Sequence, residues 1–428
     1  MGKYDEAWSR IIAGTSAEEA LAGPGYLQLT ADTLKEFGRQ EPRLLVKWDT
    51  LADRPKPIAR LEASILPLRN GLYLLFKDPG ARAYFHFEGK TPPARPFPSQ
   101  RDLSVFDSYP GAALSESQAL DFAFLAGVFQ DFTGDPDLRL TLRGRLFSGR
   151  FSLALPHFPS PIDVDRVQVE IDAGFEGRDC LLLVEAKRGS REHVLIRQLW
   201  YPYLIWRART RKRIHPVFFT YRNGQVLLTE LGFTERFGEV TQLRQRAYAL
   251  DPSPPPRMEL EAMLARGEAE NRIPDPRVPF PQANDLDKLT ELLLLLYRSP
   301  LDKEAIALHF GMETRQADYY ANAGIYLGWV VKQGHDFVLT PDGMGIAALA
   351  GRSQRCVAVI AGLLRFALPR LAFQAWQRSG LRAEAIDMHA LAVAVAKGTG
   401  LSEVTSRRRA ECLLSWVEWT ASNARVTV

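Results

Sequence analysis

Cysteine is scarce: the 428 residues contain three, Cys180, Cys356 and Cys412, far apart and with no CxxC pair. That excludes a disulfide framework and a zinc knuckle, and leaves buried free thiols as the expected role. Long apolar runs are missing too, with nothing near the roughly 18 residues a membrane span requires. The start, MGKYDEAWSRIIAG, lacks a basic stretch followed by an apolar core, so no secretory signal is expected and the cytoplasm is the expected compartment. An excess of one charge is also absent: 54 Lys and Arg against 50 Asp and Glu leave +4, too little to name a partner. What remains is ordinary globular composition, 46% hydrophobic and 24% charged. At roughly 100 to 200 residues per domain this predicts two to four domains, each able to bury its own core.

The distribution of charge says more than its sum. Nine Lys or Arg and one acid, Glu192, lie between Lys187 and Arg213, and four Arg with no acid lie between Arg139 and Arg150. Such stretches suit a surface facing a polyanion, although most charge runs are solvated faces.

Proline marks the clearest boundary. Eight of the 28 prolines fall between Asp251 and Gln282, a density that interior helix or strand does not tolerate, so 251–282 reads as a linker or extended strap. Before it, residues 1–110 form an expected α+β region with acidic helical segments (SAEEALA, TADTLKEFGRQ) and strand-like runs (RLLVKWD, EASILPL, GLYLLFK, ARAYFHFE). Asn70-Gly71 is a hairpin signal between two of these runs. The segment 111–250 follows as helix, three strands, helix and two strands. Ser115 and Gln118 have capping-box spacing before an amphipathic helix of about four turns ending at Phe132. LRLTLRGRLF, DRVQVEIDAGF and CLLLVEAK read as strands, REHVLIRQLWYPYLIWRARTRK as a helix imperfect at Pro202, and HPVFFTY and QVLLTEL as a hairpin across Arg222-Asn223-Gly224.

The chemistry concentrates on two of those strands. A short turn from Glu176 to Asp179 brings Asp172 beside Glu185, and the period of two places Glu185 and Lys187 on one face with Ala186 on the other. Two carboxylates and an ammonium group then meet at the end of an apolar sheet. Mg²⁺ takes one or two carboxylates and completes its shell with water and phosphate oxygens. Such a metal activates water and offsets charge on a phosphorane-like transition state, which the lysine also stabilises. Phosphodiester hydrolysis is the reaction this set suits.

Asp172 followed by Glu185-Ala186-Lys187 resembles the PD-(D/E)XK nuclease core, with Ile171-Asp172 in place of the usual Pro-Asp. The wider string VQVEIDAGFEG, LLLVEAKRG and RQLWYPY, with ILPLRNGLYLL before it and TRQADYYANAGIYLGW after it, is similar to a group of type II restriction endonucleases. The resemblance implies a restriction-endonuclease-like α/β core, a mixed sheet flanked by helices, acting as a Mg²⁺-dependent site-specific deoxyribonuclease on double-stranded DNA. It also implies a homodimer, because two sites must cut two antiparallel strands, and a cognate DNA methyltransferase acting on the same sequence. Catalysis would fall to Asp172, Glu185 and Lys187, with Asp172 and Glu185 holding the metal. Accessory candidates are Glu170, two positions before Asp172 on its strand; Gln198, with Tyr201 one helical turn on; and Glu116, whose place at a helix start the helix dipole also favours. His157 and His193 are isolated and read as structural or DNA-facing. A structure-reading repair or recombination nuclease, and a regulator with an inactive nuclease fold, are the other readings of the same residues.

The rest of the chain is helical. Residues 283–350 resemble a winged helix-turn-helix: LTELLLLLY, a helix over Asp302–Phe310, a turn at Gly311, a second helix from Glu313 to Leu327, and the hairpin GWVVKQGHDFVLT with Gly334 at its tip. Thr314, Arg315 and Gln316 occupy the base-reading start of that second helix, with Tyr319 and Tyr320 one turn on. A second helix-turn-helix-like unit lies within 351–428, where Arg407, Arg408 and Arg409 open the last helix and suit phosphate contact. Arg211 and Arg213, at the end of the middle basic stretch, are the remaining DNA-contact candidates.

Overall fold

The computed structural model describes residues 4–87, 92, 94–97, 114–155, 158, 160–189, 193–222, 224–250, 255–278, 280–310, 312–349 and 351–428. His157, Asn223, Gly311 and the first two prolines of the 251–282 segment lie outside these.

A seven-stranded mixed sheet flanked by helices occupies the middle of the chain. Its strands run, edge to edge, Arg95–Pro96, Val240–Ala249, Gln225–Phe233, Arg213–Arg222, Cys180–Arg188, Gln168–Glu176 and Arg139–Phe147. Cys180–Arg188 lies at its heart, and every side chain along it except Lys187 is buried, as its unbroken apolar run requires of a strand covered on both faces. It pairs antiparallel with Gln168–Glu176 through the short expected turn and parallel with Arg213–Arg222. The parallel pairing needs a crossover, which the helix Arg197–Arg207 supplies. That helix covers one face of the sheet with Leu199, Trp200 and Ile205, joined by Leu66, Leu74 and Phe76 from the N-terminal region. On the other face, Phe122, Phe129 and Phe132 pack against Phe175, Val184 and Phe219.

Several elements differ from the sequence reading for local reasons. The Ser115–Gln118 capping box forms, with Ser115 Oγ accepting the Gln118 N–H at 3.2 Å and Gln118 Oε1 accepting the Ser115 N–H at 3.0 Å. The helix it opens does not run unbroken to Phe132: Gly127 adopts φ +90° and divides it into Glu116–Ala126 and Val128–Thr133. RLLVKWD is not a strand, because the Leu45 carbonyl is taken by the indole N–H groups of Trp8 (3.0 Å) and Trp48 (2.6 Å) after the short helix Pro42–Leu45. The expected helix over REHVLIRQ begins instead as a strand, His193–Leu195, paired with Tyr84–His86. A third strand after the hairpin, Val240–Ala249, was unforeseen because its alternation, VTQLRQRAYA, is largely polar on both faces.

The N-terminal region is α+β, with a sheet ordered Tyr26–Thr30, Leu72–Lys77, Ala63–Arg69 and a hairpin at Asn70-Gly71, where Gly71 takes φ +73°. Between Asp251 and Gln282 the prolines crowd the two ends, and the middle folds. Arg257–Glu259 pairs with Arg425–Thr427, and helix Leu260–Ala269 buries Leu260 and Leu264 in the C-terminal core. That segment is a strap tied into the helical half rather than a bare linker. The helical half carries the expected helices Lys303–Phe310 and Thr314–Tyr326 and the hairpin Val330–Gln333 to Asp336–Leu339, with Gly334 at φ +63° in its tip. Among the described residues no helix is long and apolar enough to cross a membrane.

Candidate functional site

The Asp172 strand is irregular where chemistry is expected. Its pairing with Arg139–Phe147 passes from Leu142 opposite Gly174 to Gly144 opposite Ile171, two residues against three, so one extra residue lies beside Asp172. The phase of the side chains changes there too. Val169 and Ile171 pack with the groups under helix Arg197–Arg207, whereas Ala173 and Phe175, of the same parity, enter the opposite core. On the other side, the ladder with the central strand ends at Val184 opposite Ala173. Ala186 N–H therefore has no carbonyl from that strand, and Asp172 Oδ2 accepts it instead at 2.8 Å.

This places Asp172, Glu185 and Lys187 together. Lys187 Nζ lies 2.5 Å from Glu185 Oε1, with Glu185 buried and Lys187 partly open. Ala186 points the other way into the core, as the period of two requires. Burial raises the Asp172 carboxyl above its ordinary range, against the pull of Lys187 and the Ala186 N–H. Glu185 is pushed up to about 8, again chiefly by burial, with Lys187 opposing and Asp172 adding to the rise. For Lys187, burial favours the neutral amine, but Glu185, Asp172 and Glu116 outweigh it and hold the ammonium charged. One oxygen of each carboxylate is committed to these protein donors and the other is left over, a donor set that fits a hard cation with one or two carboxylates. Among the described residues no group of three His, Cys, Asp or Glu forms an all-protein cage.

Glu116 belongs to this cluster: Oε1 accepts the Arg188 N–H at 3.1 Å and so anchors the end of the central strand to a helix start. Gln198 stands on the crossover helix with Oε1 buried and without a hydrogen-bond partner, an orphaned acceptor on the layer that covers this face of the sheet. Glu170 points to solvent and pairs with Arg145 at 3.6 Å, and its charge adds to the rise of the Asp172 carboxyl. Tyr201 is fully buried and donates to the Pro67 carbonyl at 3.0 Å, which makes it a core residue. His193 is structural, its Nε2 accepting the Leu51 N–H at 2.9 Å. Sequence reasoning did not single out Asp49, whose charge reaches Glu185 from the N-terminal region; no spacing signal links positions so distant.

The basic candidates sort by place. Arg213 pairs in register with Cys180 and Phe218 with Glu185, five positions further along. At ~3.3 Å per residue Arg213 therefore starts roughly 17 Å from Glu185, at the far end of the sheet. Within that cluster Lys212 is bound to Glu176 at 2.5 Å, Arg207 to Glu235 at 3.3 Å, and Arg209 to the Ser148 carbonyl at 3.3 Å. Arg209, Arg211 and Arg213 have no acidic partner within 4 Å among the described residues. They do not flank the carboxylates.

The C-terminal candidates converge. Arg315, Gln316 and Tyr319 of one helix and Arg408 and Arg409 of another line a single cavity of about 420 Å³. Arg407 lies outside it, exposed and 3.9 Å from Glu411, and Thr314 does not line it. Tyr320 turns toward the core, with Lys288 Nζ 6.0 Å from its ring centre.

Three segments of the chain are similar to family models, each described as a domain of unknown function: DUF6996 over residues 5–75, DUF6997 over 81–249 and DUF7226 over 288–425. No curated protein and no solved structure matches the chain. The carboxylate cluster and the mixed sheet fall within the second segment, the shared cavity within and beside the third.

Proposed function

We propose that the chain is a Mg²⁺-dependent endonuclease of the PD-(D/E)XK type, of the type II restriction class, hydrolysing phosphodiester bonds of double-stranded DNA. The observation that carries the reading is the bulge in the middle of the Asp172 strand, where the Asp172 carboxylate caps the Ala186 N–H and so faces the Glu185–Lys187 pair. Bulges recur beside active sites because they re-aim a side chain out of the ladder.

Asp172 and Glu185 would hold the cation, which when bound activates water and offsets negative charge on the phosphorus centre. The chain's own part is positional. Glu185 orients the Lys187 ammonium, which stays charged and is aimed at the incoming water or the developing charge. The unpartnered Gln198 acceptor on the covering helix is suited to receive a hydrogen bond from that water or from Lys187. Glu116 fixes the strand end so that Lys187 does not wander. The helices Lys303–Phe310 and Thr314–Tyr326 with the following hairpin would act as a winged helix-turn-helix on the duplex, the chain working as a homodimer beside a cognate methyltransferase.

The test is a plasmid digest with Mg²⁺. The wild-type chain should give discrete bands, and Asp172→Asn, Glu185→Gln and Lys187→Ala should each lower the rate by more than about a hundredfold while keeping DNA binding. Retained cleavage in Glu185→Gln overturns the assignment. A smear in place of bands would favour a structure-reading nuclease, and no cutting a binding protein with a silent core.

A further inference from the structure

We infer that the cavity between helices Thr314–Tyr326 and Glu403–Asn423 is one phosphate-binding site, built jointly by two elements that the sequence presents as separate DNA readers. The inference rests on the reading above for the identity of the polymer, DNA, but not for the phosphate chemistry.

Charge comes first. The cavity is lined by three guanidinium groups, Arg315, Arg408 and Arg409, and one carboxylate, Glu313. Neither Arg315 nor Arg408 has an acidic partner within 4 Å among the described residues, and Arg315 rests over the Tyr319 ring at 5.7 Å. Cations that close, facing a shared space, repel unless an anion neutralises them.

Geometry says which anion. Arg409 Nη1 donates to Gln282 Oε1 at 2.7 Å, which fixes the plane of its guanidinium. Its Nε is buried and has no hydrogen-bond partner. The edge formed by Nε and the second terminal nitrogen is the fork that takes two oxygens of a phosphate side by side. A buried N–H left unpaired is costly, and a phosphate oxygen reaching it would relieve that cost. Helix Thr314–Tyr326 also presents its first turn here through Arg315 and Gln316, and helix Glu403–Asn423 through Thr405 with Arg408 in the turn after, and helix N-termini favour anions. The space, about 420 Å³, admits a nucleotide-sized group rather than an isolated ion alone.

The consequence is that Arg315 and Arg408 grip the same phosphate from two sides. Such a clamp positions a strand and carries no base information, so Arg315 belongs with affinity rather than sequence choice.

The experiment uses the full chain, EDTA to silence any cleavage, and a fluorescein-labelled duplex titrated from low to moderate salt. Arg408→Gln and Arg409→Gln should each weaken binding by about ten- to a hundredfold and flatten the slope of log affinity against log salt by about 0.9. Arg409→Lys, which keeps the charge and loses the fork, should fall between. Arg60→Gln, exposed in the N-terminal region far along the chain from the cavity, should match wild type. Competition by a mononucleotide at concentrations where inorganic phosphate also displaces the duplex would support the site and show that free nucleotides reach it. If Arg408→Gln and Arg409→Gln bind as wild type does and no mononucleotide competes, the inference is overturned. Arg408 is exposed, so its variant tests the site even if the half-buried Arg409 variants fold poorly. Because cleavage is absent from every arm, loss of the nuclease reading leaves this result standing, and the reverse also holds.

Discussion

Arg222 joins the central sheet to the helical half, and its removal should separate them. Its two terminal nitrogens reach Asp285 at 3.0 Å and Asp287 at 3.2 Å, at the start of helix Leu286–Leu296. Asp287 is 8% exposed and Asp285 29%, so the first pair is close to a buried ion pair and the second is half screened. Breaking a buried pair by deleting one partner costs roughly 3 to 5 kcal/mol, because a charge is left without compensation. Two features reduce that here. Asp287 keeps Arg352 at 3.2 Å, and Asp285 still caps its helix by accepting the Lys288 N–H at 3.0 Å. Arg222→Ala should therefore cost about 2 to 3 kcal/mol, and Asp287→Asn in the same background should add much less than it does alone. Urea unfolding followed by tryptophan emission reads this directly, since Trp329, Trp376, Trp416 and Trp419 report on the helical half and Trp200 and Trp206 on the sheet. The transition should move to lower urea and split, with the two sets of tryptophans no longer coincident. A variant within about 0.5 kcal/mol of wild type, or additive double-mutant costs, would refute the bridge.

Other outcomes follow from the same coordinates. Because burial pushes Glu185 up to about 8, a proton and a cation compete for it, and the Mg²⁺ concentration giving half-maximal cleavage should fall as pH rises from about 6.5 to 8 and level off above; a flat profile would refute the metal role. Burial would raise Glu230, but the hydrogen bond to His215 at 2.7 Å and the contact with Arg244 at 2.6 Å hold it below its ordinary 4.5. A depressed folded value stabilises above the unfolded one, so the advantage of wild type over Glu230→Gln should be full at neutral pH and shrink as pH falls below 4.5; an unchanged gap in urea midpoints at low pH would count against it. Gly127→Ala should destabilise by at least about 1 kcal/mol, since the position needs φ +90°, and thermal unfolding measures it.

Much of the sheet was legible because its strands are either continuously apolar, as in CLLLVEAK, or strictly alternating, as in VQVEID. Both patterns answer to burial on two faces or one, and burial is what the fold enforces. The bulge at Asp172 was not legible, because an extra residue is defined only against the partner strand. Periodicity along one strand cannot count residues on another. The same limit hid Val240–Ala249, whose neighbour, not its own sequence, makes it a strand. Gly127 was readable as a glycine but not as a break, since a helix interior tolerates one at modest cost. Where Arg211 and Arg213 lie relative to Glu185 was not legible either, because a crossover helix returns the next strand to the opposite end of the sheet.

The central strand itself suggests how the two halves work together. Lys187 is followed by Arg188, whose guanidinium lies 3.8 Å from Glu291 of the first helix of the helical half, a carboxylate that His309 also approaches at 3.3 Å. Gly189, next in line, takes φ +76°, and a methyl group there would come within 3.3 Å of the Phe310 ring. His309 and Phe310 end the helix that precedes Thr314–Tyr326. A shift of that helix pair cannot leave Arg188 and Gly189 untouched, because close-packed contacts do not deform freely. Lys187 sits one residue away, anchored by Glu185 on one side and by the Glu116 bond to the Arg188 N–H on the other. Glu291 is buried with Oε2 unpartnered. The contacts of Arg188 and Gly189 with Glu291 and Phe310 thus tie the end of the strand that carries Lys187 to the helix preceding Thr314–Tyr326.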